Sequence, residues 1–130
     1  MFTNPSHAYD AGRKMTASSR ELEAAALFKA ARLLEACQQS WGRAGAGDQL
    51  DQALGYNQRL WTLFQCELEA PDHPLPSEIR LNLLRLSAFV DRRTWEIRAD
   101  PAPEKLQALV DLNRMIGSGL ALPAGAAGPG

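Results

Sequence analysis

The residue types that most often carry out chemistry in proteins are few in this sequence and poorly spaced for it. His7 and His73 are the only histidines, and they lack the close helical spacing of a zinc-binding pair. Neither histidine has a serine or cysteine nucleophile at a motif spacing. Cys37 and Cys66 fall on different predicted helices and form no metal-binding motif, so we interpret both as small apolar core residues. We therefore expect no metal ion and no cofactor.

A glycine-rich segment, GRAGAG at Gly42–Gly47, is the stretch to consider as a phosphate-binding loop. No Lys-Ser or Lys-Thr pair follows it and no predicted strand precedes it, which excludes that function. The carboxylates Glu21, Glu23, Asp91 and Glu96 are predicted on solvated helix surfaces. Because the sequence contains no catalytic constellation, we predict that the protein is not an enzyme.

Length, composition and charge are those of an ordinary soluble domain. The chain has 130 residues, of which 45% are hydrophobic and 22% charged, enough for one domain with a buried core. A net charge of −1 and a pI near 6.1 argue against general nucleic-acid binding. The N-terminal residues contain no secretory apolar region, and no apolar run reaches the length of a membrane span. We expect a cytoplasmic protein with reduced cysteines and no membrane partner.

Glycine and proline divide the chain at three places, which are Gly42–Gly47, Ala70–Pro76 and Asp100–Pro103. The segments between them have helical periodicity, and none alternates as a strand would. Four long helices are predicted, at Ser19–Trp41, Asp48–Glu69, Ser77–Ala99 and Pro103–Leu122, with Asp48, Ser77 and Asp100 as N-caps. Short loops between four helices predict an all-α fold, an antiparallel four-helix bundle. The bundle domain is predicted at 1–122, followed by a disordered tail at 123–130.

A short additional helix is predicted at the N-terminus. It opens on Asn4 and Pro5, which suit the N-cap and the first helical position. A linker at Thr16–Ser19 separates it from the first long helix, which begins at a capping box of Ser18 and Glu21. The short helix is expected to pack on the bundle as a cap.

Helical wheels place most large apolar side chains on one side of each helix. On the second long helix, Trp61 and Phe64 are predicted core anchors. Two polar residues, Asn57 and Asn113, lie within the apolar arcs of the second and fourth long helices. We interpret both as buried amides that fix the register of the helices, rather than as catalytic groups.

The third long helix is apolar on two opposite sides. Its core ridge is predicted to consist of Ile79, Leu83, Leu86, Val90 and Ile97. The other side carries an outer ridge formed by Leu81, Leu84, Ala88 and Trp95. Two interpretations of the outer ridge stay open. It is either covered by the short N-terminal helix or exposed for contact with a partner protein. Phe28 also falls outside the apolar arc of its helix and is a further candidate for partner contact.

Four separated phrases carry a family resemblance, namely TASSRELEAAALFKAARLL, LDQALGYNQRLWTLF, PDHPLPSEIRLNLLRLSAFV and ADPAPEKLQALVDLNRMIGSGL. The most specific part is YNQRLW at Tyr56–Trp61, followed by Pro71-Asp72 and by PLP at Pro74–Pro76. In this order and spacing, the phrases resemble the FlaF family of flagellar biosynthesis regulators over about Ala8 to Leu120. The N-terminal stretch Asn4–Glu23 is also similar to the start of FliS-type flagellin export chaperones.

The FlaF resemblance implies a regulator that is needed for flagellin production and export and that acts with a second regulator, FlbT. The FliS-type likeness implies a FliS-like bundle that binds the terminal helices of unassembled flagellin as an export chaperone. In that case the N-terminal helix, with Tyr9, would partly cover the binding groove and contact the partner.

Two alternatives to the chaperone stay open. One is a translational regulator of flagellin mRNA that acts with FlbT. The acidic pI stands against it, as does the lack of an RNA-binding motif or an exposed aromatic–basic platform. The other is an adaptor that does not contact flagellin directly.

Overall fold

The computed structural model describes the backbone of residues 5–121 and the side chains of residues 19–121. In this part of the chain the backbone forms four α-helices and one 3-10 turn, with no β-strand. The helices are α1 at Pro5–Gln39, α2 at Ala46–Leu68, α3 at Ser77–Ala99 and α4 at Gln107–Ala121. The 3-10 turn spans Pro103–Leu106 and leads into α4. The predicted all-α helical bundle is confirmed, and α3 has the predicted bounds.

Side-chain contacts give the relative directions of the first and last helices. Near the end of α1, the Gln38 amide donates a hydrogen bond of 3.1 Å to Gln107 Oε1 at the start of α4. One turn earlier in α1, Glu35 pairs with Arg114, which lies two turns further along α4. The two helices therefore run antiparallel, and the short connections between consecutive helices are those of an up-and-down bundle.

The N-terminal region differs from the sequence-based expectation. The predicted break at Thr16–Ser19 is absent, and α1 runs uninterrupted from Pro5 to Gln39. The predicted linker contains no proline or glycine, and serine and threonine cost at most about 0.7 kcal/mol per residue inside a helix. A potential capping box at Ser18 is therefore too weak to interrupt the helix by itself. The side chain of Tyr9 and the predicted tail at 123–130 lie outside the described residues.

The predicted N-caps are also wrong. Gly45 precedes α2 in the left-handed conformation, at φ 81°, so the helix begins ahead of Asp48, which lies in the first turn. Pro76 occupies the position before α3, and Ser77 is already helical. Asp100 ends α3 instead of starting the next helix. At these positions glycine and proline set the chain direction, without a side-chain cap.

The core lies between α1, α2, α4 and the later part of α3. Its fully buried apolar side chains include Leu27, Leu34, Leu54, Trp61, Val90, Ile97, Leu106, Leu109 and Val110. α1 packs on α4 and α2, whereas α3 packs mainly on α2 and on the 3-10 turn. The predicted core ridge of α3 is therefore buried only in its later part, at Val90 and Ile97. Ile79, at its beginning, is 47% exposed, which corrects its assignment to the core.

No described helix combines the length and the apolarity that a membrane crossing requires.

Candidate functional site

An apolar groove of about 900 Å³ lies between the early part of α3 and the other helices of the bundle. It is found at the end of the molecule where α2 connects to α3, and all four helices contribute to it. Its apolar lining consists of Leu22, Trp61, Phe64, Leu68, Ala70, Pro74, Leu75, Leu83, Ile116 and Leu120. Its polar lining consists of Ser19, Arg20, Glu23, Glu67, Asp72 and His73. This size is in the upper part of the range of small-ligand pockets.

Two aromatic rings of α2 form part of the groove wall. The ring centroids of Trp61 and Phe64 are 5.6 Å apart with an interplanar angle of 84°, an edge-to-face arrangement. Trp61 is 1% exposed, which confirms its predicted role as a core anchor. Phe64 is half-buried and packs against the core from the groove side.

A buried chain of hydrogen bonds holds the Trp61 indole in position. Trp61 Nε1 donates to Asn113 Oδ1 at 2.8 Å, and Asn113 Nδ2 donates to Asn57 Oδ1 at 2.7 Å. An indole nitrogen can only donate, so the orientation of the Asn113 amide follows from it, and that of Asn57 follows in turn. The Asn57 Nδ2 group, also buried, has no hydrogen-bond partner. The prediction that both asparagines are core polar residues is confirmed.

The connection between α2 and α3 forms the outer wall of the groove. The Arg80 guanidinium donates to the Ala70 carbonyl at 2.9 Å, which ties the start of the connection to α3. The Leu75 backbone N–H donates to His73 Nδ1 at 3.2 Å, so the imidazole stabilises the turn. Leu75 is held at the rim in this way and remains 37% exposed. His73 thus has a structural role in the connection.

Two carboxyl groups face each other across the groove wall. Glu23 of α1 is half-buried and lies close to Glu67 of α2 in the groove lining. Burial first, and the adjacent Glu67 second, raise the pKa of Glu23 to about 7, with a smaller opposing effect from Arg20. The expectation that Glu23 lies on a solvated surface is therefore wrong. A helix-row argument could have found it, because Glu23 is one turn before the buried Leu27.

The outer ridge of α3 is largely exposed. Trp95 is 73% exposed and Leu81 is 48% exposed, and Ala88 is exposed as well. Leu84 is half-buried. None of these four residues lines the groove, so the groove and the outer ridge are separate surfaces. The assignment of the outer ridge to partner contact stays a prediction.

Phe28, the other predicted contact residue within the described side chains, packs between α1 and α4. It is half-buried, and a Cβ placed on Gly117 of α4 would lie 3.1 Å from Phe28 Cε1. The ring therefore fills the space that the absent side chain of Gly117 leaves. Only its remaining exposed part is available to a partner.

The two cysteines have different environments. Cys37 is buried, as predicted for an apolar core residue, and burial raises the pKa of its thiol. Cys66 is exposed, which corrects its assignment to the core. Within the described side chains, no group of three or more histidine, cysteine, aspartate or glutamate residues is arranged to hold a metal ion.

Comparison with known protein families gives a match over most of the chain. The family described as "Flagellar protein FlaF" matches residues 5–120, which is nearly the whole chain and confirms the resemblance seen in the sequence. No curated protein and no solved structure matches the chain.

Proposed function

Because the chain belongs to the FlaF family of flagellar proteins, we propose that it is a cytoplasmic regulator that binds unassembled flagellin as an export chaperone. In this function the groove accepts a terminal amphipathic helix of flagellin. Covering the apolar face of that helix prevents premature polymerisation and promotes flagellin synthesis and secretion.

The groove is the observation that supports this proposal best. Apolar side chains from all four helices line it, and Leu22 and Leu75 at its margins are 67% and 37% exposed. Concave apolar surfaces that are rimmed by a few polar groups often mark ligand- or partner-binding sites. An amphipathic helix is a suitable partner, because its apolar stripe can replace the packing that α3 does not receive from α1 and α4.

Calorimetry and co-purification of the full chain with purified flagellin test the proposal. We expect full-length flagellin to bind and flagellin without its terminal helices not to bind. Leu75→Ser, at the groove rim, should weaken binding by about tenfold or more, because it removes about 1.5 kcal/mol or more of apolar burial. Leu63→Ser is the matched control, since Leu63 is 63% exposed on α2 and does not line the groove. Equal effects of the two variants would reject the groove as the flagellin site.

The outer ridge supports a second contact, with FlbT or with flagellin. Exposed aromatic residues are frequent anchors of protein interfaces, and Trp95 is the largest exposed side chain of α3. Trp95→Ala should reduce binding to one of these proteins while leaving the denaturation midpoint nearly unchanged. A loss of stability with normal binding by the folded fraction would instead assign the outer ridge to structure.

The alternative function in translation also has an observation in its favour. Arg92 and Arg98 lie three residues to either side of Trp95, so α3 carries an exposed aromatic residue with two basic neighbours that the sequence did not lead us to expect. Both arginines take part in ion pairs, with Glu96 and Asp51 respectively. A salt-dependent shift of flagellin mRNA that Trp95→Ala abolishes would favour translational control over chaperoning.

A further inference from the structure

The carboxyl groups in the groove wall indicate which charge a bound partner should carry there. Glu23 of α1 and Glu67 of α2 lie close together in the groove lining, and two adjacent carboxyl groups repel each other when both are ionised. Burial of Glu23 first, and this repulsion second, raise the pKa of Glu23 to about 7. A positive charge placed beside Glu23 would favour the ionised form of this carboxyl group.

The charged groups around this pair are predominantly acidic. Asp72, on the connection between α2 and α3, adds a third carboxylate to the groove lining, and Arg20 of α1 is the only arginine or lysine among the described side chains that line it. The groove residues from α3 and α4 are all apolar. His73 is the remaining titratable group in the lining. The groove thus combines an apolar surface with an acidic wall.

We infer that the groove selects an amphipathic helix that carries a lysine or arginine at the edge of its apolar face, with that cation placed between Glu23 and Glu67. This inference rests on the proposed function, since the occupant is the flagellin helix assigned to the same groove. Apolar side chains of the helix pack on the aromatic wall, while the long aliphatic stem of the basic residue lets its charge reach the carboxylates. Binding then favours ionised Glu23 and releases a proton to solvent.

Segments of the same chain are poorer occupants. The C-terminal residues 122–130 contain no basic residue and a single large apolar one. The N-terminal part of α1 does contain Arg13 and Lys14, but the helix continues without a break from Pro5 through the groove residues of α1. An uninterrupted helix has no hinge with which to fold back over its own side.

Isothermal titration calorimetry of the full chain with purified flagellin tests the inference. Titrations near neutral pH in two buffers of different ionisation enthalpy measure protons released or taken up on binding. We expect net proton release, and binding about tenfold tighter at pH 8 than at pH 6, as for a carboxyl whose pKa falls by about two units on binding. Glu23→Gln should abolish both effects. Glu21→Gln, an exposed carboxylate on the same helix outside the groove, should retain them.

The remaining outcomes are distinguishable. Proton uptake would overturn the inference, because it means that an apolar occupant buries Glu23 further and favours its neutral form. Proton release that persists in Glu23→Gln but disappears in His73→Gln would also overturn it. Tighter flagellin binding after deletion of residues 1–14 would identify the chain's own N-terminus as the occupant. Failure of flagellin to bind at either pH would reject the proposed function itself, whereas binding without any proton change rejects only the inference.

Discussion

Asn57 and Asn113 belong to the same buried hydrogen-bonded chain, but their removal should have different effects on stability. Asn113 is the middle member, since it accepts from Trp61 Nε1 and donates to Asn57 Oδ1. Asn57 is the last member, and its own Nδ2 group is already without a partner. Leucine is close to asparagine in shape, so substitution by leucine tests the hydrogen bonds with little change in packing.

Asn113→Leu should be strongly destabilising. It leaves two buried groups without a partner, the Trp61 indole N–H and Asn57 Oδ1. Each such group costs about 1–3 kcal/mol, so their sum is about 2–6 kcal/mol. The additional apolar surface of leucine offsets about 1 kcal/mol of this.

Asn57→Leu should be close to neutral. It leaves one group unpaired, Asn113 Nδ2, but it also removes the unpaired Asn57 Nδ2. Because the two costs are similar in size, the free energy of unfolding should stay within about 1 kcal/mol of the original. The double variant should be more stable than Asn113→Leu alone, since only the Trp61 N–H then lacks a partner.

Urea denaturation followed by far-UV circular dichroism measures the four free energies of unfolding that this cycle requires. The signal reports helix content and does not depend on the three tryptophans. Equal destabilisation by the two single variants would refute the reasoning, because it would mean that Asn57 Nδ2 has a partner in solution. A double variant that is less stable than Asn113→Leu would refute it as well.

Three further predictions concern the same helices. Glu23→Gln should stabilise the protein at pH 8 but not at about pH 4. The pKa of Glu23 is about 7 in the folded state and 4.5 in the unfolded state, so its contribution to stability is complete below pH 4.5 and is lost as the pH rises to 7. Thermal melts at several pH values measure this dependence. Gly119 lies in open space on α4, so Gly119→Ala should stabilise the protein by about 0.5–1 kcal/mol. Gly117→Ala should give a smaller gain or a loss, because its Cβ would lie 3.1 Å from Phe28. Equal gains in urea denaturation would contradict this prediction. Trp61→Ala should cost about 3–5 kcal/mol, more than alanine at the half-buried Phe64, and an unchanged urea midpoint would show that Trp61 is not a core anchor.

The positions of the helices could be predicted from the sequence because glycine and proline determine them locally. Gly45, at positive φ, directly precedes α2, and Pro76 directly precedes α3. The predicted linker at Thr16–Ser19 was wrong because it contains no glycine or proline. Its serine and threonine residues lower helix stability slightly but do not end a helix. Capping preferences of about 1 kcal/mol are small compared with the effect of a proline or of tertiary packing on a helix boundary.

The groove could not be predicted, because it depends on how the helices are placed relative to one another. The apolar arc of α2 indicated that Trp61 and Asn57 are buried, but helical wheels do not give the axial register that brings Asn113 to both of them. In the same way, Glu23 and Glu67 are far apart in sequence, and each alone resembles a surface carboxylate. The sequence does show that α3 has more apolar surface than one neighbour can cover.

That excess apolar surface on α3 accounts for both proposed contact surfaces. α2 and the 3-10 turn cover the later part of its core ridge, where Val90 and Ile97 are fully buried. In the earlier part, Leu83 lines the groove and Ile79 is 47% exposed. An amphipathic helix in the groove would therefore occupy the position of a missing neighbour of α3 and extend the bundle core. The same packing that stabilises the fold would then supply the affinity, and the acidic wall at Glu23 would determine which helix is accepted.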